Sequence, residues 1–474
     1  MNRFQAYING QFFETEKYAA VYNPANGDVV GEAPVCTVKD VDAAVDAAAQ
    51  AQKSWRRLTY MQRADYLKKW SAKMSEYKEQ LGELLCREQG KTLAQATGEA
   101  NGAANLIAYH AEWAWRIEGE IVTSDRANQN VWIYKEPIGV VGCIIPWNFP
   151  LYIIARKVAP ALLTGNTVVI KPSSDTPLTA LFIAKIFDEI GMPAGVVNVI
   201  TGSGALLGKA LAAHPKIGMI SLTGSTAAGQ EVMRNCAESV AKVSLELGGK
   251  APSIVMNDAN LDLAVASILM AKTKNAGQVC NTPERVYVQR DAAHAFIEKL
   301  VEAMQKVTFG DGMANPTMGA LVNRKAVETV HAMVERAVLS GAKLVLGGEI
   351  PQGAGAFYPP TLLVECRQDM EIMREEIFGP VLPVMVFDTV EEGLALANDC
   401  KYGLTAALYT NTMSTMMKFA NEIECGELYV NRSQGEAFNG YHSGWKQTGI
   451  GGDDGKHGLA EFLQTRTVYC VYQD

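Results

Sequence analysis

The chain has 474 residues, enough for two or three domains with sizeable cores, and an ordinary globular composition of 48% hydrophobic and 20% charged residues. A net charge of −8 leaves no basic footprint and argues against nucleic acid as a partner, while no window approaches the roughly 20 uninterrupted apolar residues of a membrane span. Nine cysteines placed singly from Cys36 to Cys470, with no CxxC pair, read as reduced thiols, and six histidines without an HExxH spacing give no zinc signature, so no catalytic metal is expected. The N-terminal residues Met1 to Gln5 lack an apolar signal core, which makes the cytoplasm the default compartment.

Between Tyr7 and Gly27, short apolar runs broken by turn residues predict a small hairpin lying on a larger body. Residues 41–54 are alanine-rich with apolar positions on one face and predict a long helix, and the helical period continues from Tyr60 to Glu88. Segments 119–122 and 132–135 read as two strands joined by the polar loop 124–130, a protruding hairpin. After Pro137 the pattern changes. Continuous apolar strands at 140–145, 167–170 and 196–200 alternate with helices at 151–163 and 177–190, as in a parallel sheet covered on both faces. The strand 217–223 runs into Gly224-Ser225-Thr226-Ala227-Ala228-Gly229 and a helix, which sets glycines and hydroxyls where a pyrophosphate can bind, although the spacing departs from G-x-G-x-x-G. A second alternating region starts near Pro252, with a strand at 253–256, a helix at 261–273 and strands at 381–387 and 404–409. The tail 465–472 is strand-like and too apolar to be left free; pairing with another subunit is the economical expectation for it.

Two stretches offer chemistry. Glu246, in Leu245-Glu246-Leu247-Gly248-Gly249-Lys250, follows an apolar alternation and stands at the exit of a buried strand, where a carboxylate can serve as a base. Cys280, in Gly277-Gln278-Val279-Cys280-Asn281, sits in a small-residue turn that a substrate could approach. By itself such a cysteine is most often a small packed side chain.

Together with Pro146-Trp147-Asn148-Phe149-Pro150 upstream and Glu375-Glu376-Ile377-Phe378-Gly379-Pro380 downstream, these stretches stand in an order that resembles the NAD(P)-dependent aldehyde dehydrogenases, nearly end to end. The resemblance implies an α/β fold of two doubly wound parallel-sheet domains and a small β oligomerisation element. It divides the chain into a dinucleotide-binding domain (1–117 and 138–248), a catalytic domain (249–455) and an oligomerisation element (118–137 and 456–474) of a homodimer or homotetramer. It implies Cys280 as nucleophile, Glu246 as the base that activates water, and Asn148 as an oxyanion donor beside the Cys280 backbone N–H. Asn148 could also simply cap the helix that follows it, and Glu246 could form a salt bridge with Lys171 or Lys250.

For NAD or NADP the resemblance implies Lys171 and Ser174 at the adenine ribose, and Trp147, Gly224, Ser225, Gly229, Glu376 and Phe378 around the pyrophosphate and nicotinamide ribose. Ser174 departs from the glutamate common in NAD-preferring members; it removes a repulsion toward a 2′-phosphate, and the neighbouring Asp175 can partly restore it. The substrate end looks unusually polar. Phe149, Ile153 and Arg156 share a helical face, and His442 stands where many relatives carry an apolar ring. With Glu436 and Asn281, these residues suit a small hydroxylated aldehyde better than an alkyl or aryl one. The alternatives are a semialdehyde whose carboxylate Arg156 clamps, a structural Arg156–Glu436 pair, and a catalytically silent protein on the same fold.

Overall fold

The computed structural model describes residues 2–473. Its first sheet has eight strands in the spatial order Gln11–Phe13, Ala6–Ile8, Val197–Val199, Thr167–Lys171, Val140–Ile144, Ile217–Thr223, Lys242–Glu246 and Gly449–Ile450. The five strands between 140 and 246 are mutually parallel, and both edges are antiparallel additions. Chain order reverses direction across the sheet beside Val140–Ile144, so a crevice opens at the carboxyl ends of this strand and of Ile217–Thr223. These strands are buried on both faces, which is why they read as continuous apolar runs.

The second sheet runs Lys343–Leu346, Thr361–Val364, Val381–Phe387, Arg285–Gln289, Pro252–Val255, Thr405–Tyr409 and Glu427–Val430. All its neighbours are parallel except the first pair. A third sheet is antiparallel: Leu463–Val471 pairs with Gln129–Pro137, which pairs with Glu120–Val122. The apolar tail therefore finds its partner within its own chain, in a register from Leu463 opposite Pro137 to Val471 opposite Gln129. That leaves one edge of the tail and one edge of Glu120–Val122 uncovered.

The helices form where the pattern indicates. Val38–Trp55 starts at Thr37, whose backbone N–H and hydroxyl both donate to Asp40, and buries Val41, Ala44, Val45, Ala48, Ala51 and Trp55 along one stripe. The period seen from Tyr60 to Glu88 belongs to two helices, Tyr60–Glu76 and Lys78–Gln89, because the backbone at Tyr77 (φ −94°, ψ 9°) leaves the helical region. The expected domain boundary at residue 455 is crossed earlier. Gly449–Ile450 already lies in the first sheet, and the helix Gly455–Glu461 places Leu459, followed by Phe462, in the first domain's core. No helix among the described residues is long and apolar enough to cross a membrane.

Candidate active site

Cys280 lies where the two doubly wound units face each other. The helix Leu261–Thr273 ends in a turn whose Asn275, Ala276 and Gly277 all have positive φ, of 48°, 53° and 76°. Side chains rarely adopt that conformation, and at Gly277 a Cβ would also meet the Gly379 carbonyl oxygen at 2.3 Å, so this position requires glycine. The buried Gln278 holds the turn: its amide donates to the Asn275 carbonyl at 2.9 Å and accepts from the Val322 N–H at 2.8 Å. The cost of the backbone conformation is thus offset by the hydrogen bonds of the Gln278 amide.

Asn148 does not cap the helix Pro150–Leu163. Glu99 does, accepting from the Leu151 and Tyr152 N–H groups at 2.9 and 3.2 Å. The Asn148 side-chain amide instead donates to the Gln278 carbonyl at 3.1 Å, and the Asn148 backbone carbonyl accepts from Lys91 Nζ at 2.6 Å and from the Asn275 amide at 3.1 Å. Lys91 in turn bonds Glu99 at 2.5 Å. The Asn148 main chain is therefore anchored beside the cysteine turn by a buried ion pair that no local motif announces, and its side-chain amide is turned by the Gln278 carbonyl.

Two cavities, of about 360 and 420 Å³, share Asn148, Thr223 and Cys280. The first is walled by Phe149, Tyr152, Ile153 and Arg156 from one helix and by Asn281 and Glu436 opposite. Arg156 is buried and donates to Glu436 at 2.5 Å and to Asp454 at 2.6 Å, while Asn281 donates to the second Glu436 oxygen at 3.0 Å. Burial alone would raise the Glu436 carboxyl, but the facing guanidinium holds it well below the usual carboxylate range. Glu436 is thus an anion bridging the arginine to the residue after the cysteine. Asp454 completes the cluster; its only sequence signal is the glycine-rich run 451–455, a turn that returns the chain to this helix.

His442 does not line this cavity. Residues 442–443 pair with 452–453 and residues 449–450 pair with the strand carrying Glu246, and this folding-back draws the imidazole inward. Its Nδ1 lies 2.7 Å from Glu427 and its Nε2 3.5 Å from Glu246. Glu246 pairs with neither Lys171 nor Lys250. Lys250 bonds Glu284 instead, and the Glu246 carboxyl, which burial would raise, is lowered by His442. Ligand-bearing atoms of Glu246, Cys280 and His442 all lie within 4.8 Å of one another. Burial and Glu246 push the Cys280 thiol up to about 12, against a lowering influence of His442.

The second cavity opens at the crevice of the first sheet. Trp147, Lys171, Gly224, Ser225, Glu376 and Phe378 all line it. Ser225 Oγ caps the helix Thr226–Cys236 by accepting from the Ala228 N–H, so the helix's positive end faces the cavity. Trp147 and Phe378 meet edge to face at 5.4 Å, and Glu376 accepts from the Gly249 N–H at 3.0 Å. A slot between sheet ends, walled by aromatic rings, floored by a helix N-terminus and bordered by a lysine and a carboxylate, fits a dinucleotide. Gly229 is not part of the wall; a Cβ there would meet Leu247 Cδ1 at 2.6 Å, so its function is close packing of helix on strand. Ser174 is exposed at the rim rather than in the lining, where Ser173 stands. Asp175 accepts from Asn323 at 3.3 Å and from the cavity-lining Ser173 hydroxyl at 3.3 Å.

The sequence profile of the aldehyde dehydrogenase family matches residues 12–468. The chain belongs to this family. It is 48% identical to the lactaldehyde dehydrogenase of Escherichia coli over 98% of both chains, and the solved structure titled lactaldehyde dehydrogenase superposes with a TM-score of 0.98 over 99% of both. It is 42% identical to a 3,6-anhydro-alpha-L-galactose dehydrogenase of a Vibrio strain over the full length of both, and 40% identical to the NADP-dependent succinate-semialdehyde dehydrogenase of E. coli over 99% and 98%. A 3,6-anhydro-L-galactose dehydrogenase solved in complex with NAP superposes with a TM-score of 0.97, at 40% identity over 99% and 100% of the chains. The enzyme is accordingly an aldehyde dehydrogenase with NAD or NADP as coenzyme, and the second cavity offers that coenzyme a fitting slot.

Proposed function

We propose that this aldehyde dehydrogenase oxidises a short 2-hydroxyaldehyde, such as lactaldehyde or glycolaldehyde, to its carboxylic acid through a thioester on Cys280. The observation that carries the substrate reading is the buried Arg156–Glu436–Asn281 network in the wall of the cavity that reaches Cys280. It offers a hydroxyl both donors and an acceptor. An alkyl chain set against this charged network would add no hydrogen bond and would shield it from water, which disfavours an alkyl aldehyde relative to a hydroxylated one. The names of the similar proteins, among them a lactaldehyde dehydrogenase at 48% identity, support the same class.

The chemistry follows from the chain's own groups. The Cys280 thiolate adds to the carbonyl carbon, and the oxygen takes the electron pair released from the C=O bond. Asn148 Nδ2 and the Cys280 N–H stabilise that oxyanion, and the Lys91–Glu99 pair fixes the Asn148 main chain from which the amide projects. The oxyanion re-forms the C=O bond as the aldehydic hydrogen leaves with its electron pair, giving the thioester; Trp147, Lys171, Ser225, Glu376 and Phe378 would hold NAD or NADP, which would supply the hydride acceptor. Glu246 then removes a proton from the water that attacks the thioester carbonyl, and sulfur leaves as the acid forms. Ser174 at the rim permits NADP as well as NAD. We place the enzyme in the cytoplasm as a homo-oligomer joined through its three-stranded sheet, whose Ile121 and Tyr469 are 80% and 68% exposed.

A semialdehyde is the second reading, favoured by Arg156 and by the semialdehyde-named relative. Against it, Arg156 already faces two carboxyl groups, Glu436 and Asp454, so a third carboxylate would have to compete with both for the guanidinium. Steady-state kcat/KM values across an aldehyde panel decide between them. Lactaldehyde and glycolaldehyde should exceed propanal by about tenfold or more. Equal values for propanal would refute the hydroxyl reading, and a preference for succinate semialdehyde that disappears in Arg156→Ala would establish the alternative.

A further inference from the structure

Glu284 closes the short run Cys280-Asn281-Thr282-Pro283-Glu284, its side chain is buried, and it takes no part in the chemistry above. Each of its oxygens is used twice. Oε2 accepts from Lys250 Nζ at 3.0 Å and from the Ile377 N–H at 2.7 Å, while Oε1 accepts from Lys272 Nζ at 3.0 Å and from the Phe378 N–H at 3.3 Å. These donors come from three segments that carry the site. Lys250 belongs to the turn after Glu246, Lys272 to the end of the helix that leads to Cys280, and residues 377–378 to the loop whose Glu376 and Phe378 line the coenzyme cavity.

The same segments meet at the backbone. A Cβ on Gly249 would meet the Cys280 carbonyl oxygen at 2.7 Å, and one on Gly248 would meet a Glu376 carboxyl oxygen at 2.9 Å, so the turn 248–249 fills the space between the cysteine and the coenzyme loop. Phe378 has a φ of 53°, which side chains rarely adopt, and its N–H is one of the four that Glu284 receives. Burial would raise the Glu284 carboxyl, but Lys250 and Lys272 hold it below its usual range. It is therefore an anion among buried donors, and moving any of the three segments would leave a buried charge or N–H without its partner.

We propose that Glu284 is a positioning residue that fixes the coenzyme loop 376–378 at a set distance from Cys280 and so aligns the carbon on sulfur for hydride transfer; this rests on Cys280 being the nucleophile. Hydride transfer needs donor and acceptor carbons held in contact and in line, whereas the later attack of water needs only the thioester and its base. That base is placed separately. Glu246 stands on its own strand, in register with Thr223. The two halves of the reaction should therefore depend on Glu284 unequally.

The test separates these halves with p-nitrophenyl acetate, an activated ester that acylates a thiolate and is hydrolysed without coenzyme. In the full-length enzyme with lactaldehyde and saturating coenzyme, Glu284→Gln should slow the pre-steady-state burst of reduced coenzyme by about 10- to 10²-fold, while ester hydrolysis stays within about twofold of wild type. The coenzyme Kd, read by fluorescence titration, should rise by about threefold or more as the loop loses its anchor. Equal loss of burst and ester hydrolysis, a wild-type burst, or a wild-type Kd would overturn the proposal. Should Glu284→Gln fail to melt cooperatively, Glu284→Gln/Lys272→Met, which removes one charge of each sign, decides by the same criteria. Ester hydrolysis that survives in Cys280→Ala would instead refute the nucleophile, so the two failures are distinguishable.

Discussion

The proposed mechanism gives Cys280, Glu246 and Asn148 different moments of action, so variants of the first two should fail differently. Cys280→Ala keeps the coenzyme cavity and loses the sulfur, so it should bind coenzyme normally while oxidation falls by about 10⁴-fold or more, read by coenzyme titration beside steady-state rates. Near-normal turnover there would remove Cys280 from the mechanism. Glu246→Gln removes a base needed only after the thioester exists. It should retain a pre-steady-state burst of reduced coenzyme while steady turnover drops by about 10²- to 10⁴-fold; equal loss of both phases would assign Glu246 an earlier task. Lys171 carries a pH dependence with a defined sign. Burial depresses its ammonium to about 8, only partly opposed by Asp175. The charge is therefore present below about 8 and lost above it, so coenzyme affinity should weaken as pH rises through that value and flatten in Lys171→Met, measured by fluorescence titration. For folding the sign is opposite: above the depressed value the unfolded chain holds the extra proton, so the stability cost of burying Lys171 is relieved as pH rises toward 10.5.

At the scale of elements, we propose that the strand Thr167–Lys171 and the turn after it set the coenzyme preference. Ser174 is exposed, and Asp175, the only acidic neighbour in the turn sequence Pro172-Ser173-Ser174-Asp175, is shared between Asn323 and Ser173. With no glutamate at position 174, the proposed site is expected to admit a 2′-phosphate. Ser174→Glu should raise the dissociation constant for NADP by about tenfold while changing that for NAD little, and a wild-type enzyme that binds NADP no better than the variant would contradict this. The helix Thr226–Cys236 shows the same economy. Ser225 supplies its cap and faces the cavity, whereas Gly229 one turn on lets the helix approach Leu247. Similar glycines in one motif thus serve separate ends, binding and packing, and only the contacts distinguish them.

For the whole molecule, the three-stranded sheet is satisfied along its central strand and open along both edges. Ile121 and Tyr469 project from its outer strands into solvent, an arrangement that favours pairing with a second copy. Charging them in Ile121→Asp/Tyr469→Asp leaves the pairing with Gln129–Pro137 intact. Light scattering should then report the 51.3 kDa monomer where the wild type gives a multiple, and an unchanged mass would exclude this sheet as the interface.

The amino-acid order by itself determined the alternation of buried strands and helices, the parallel character of both large sheets and the family, because strand burial and motif order are written in local periodicity and in runs of adjacent residues. It also brought Arg156, Glu436 and Asn281 under suspicion as one polar group, which the structure joins by hydrogen bonds. Only the tertiary structure decided where His442 points, that Glu427, Asp453 and Asp454 share its neighbourhood, and that Glu99 rather than Asn148 caps the helix at Pro150. Those pairings span 15 to 298 positions. Periodicity carries no record of which distant charge will neutralise another, since a buried ion chooses its partner by what the packed chain brings within a few ångströms of it.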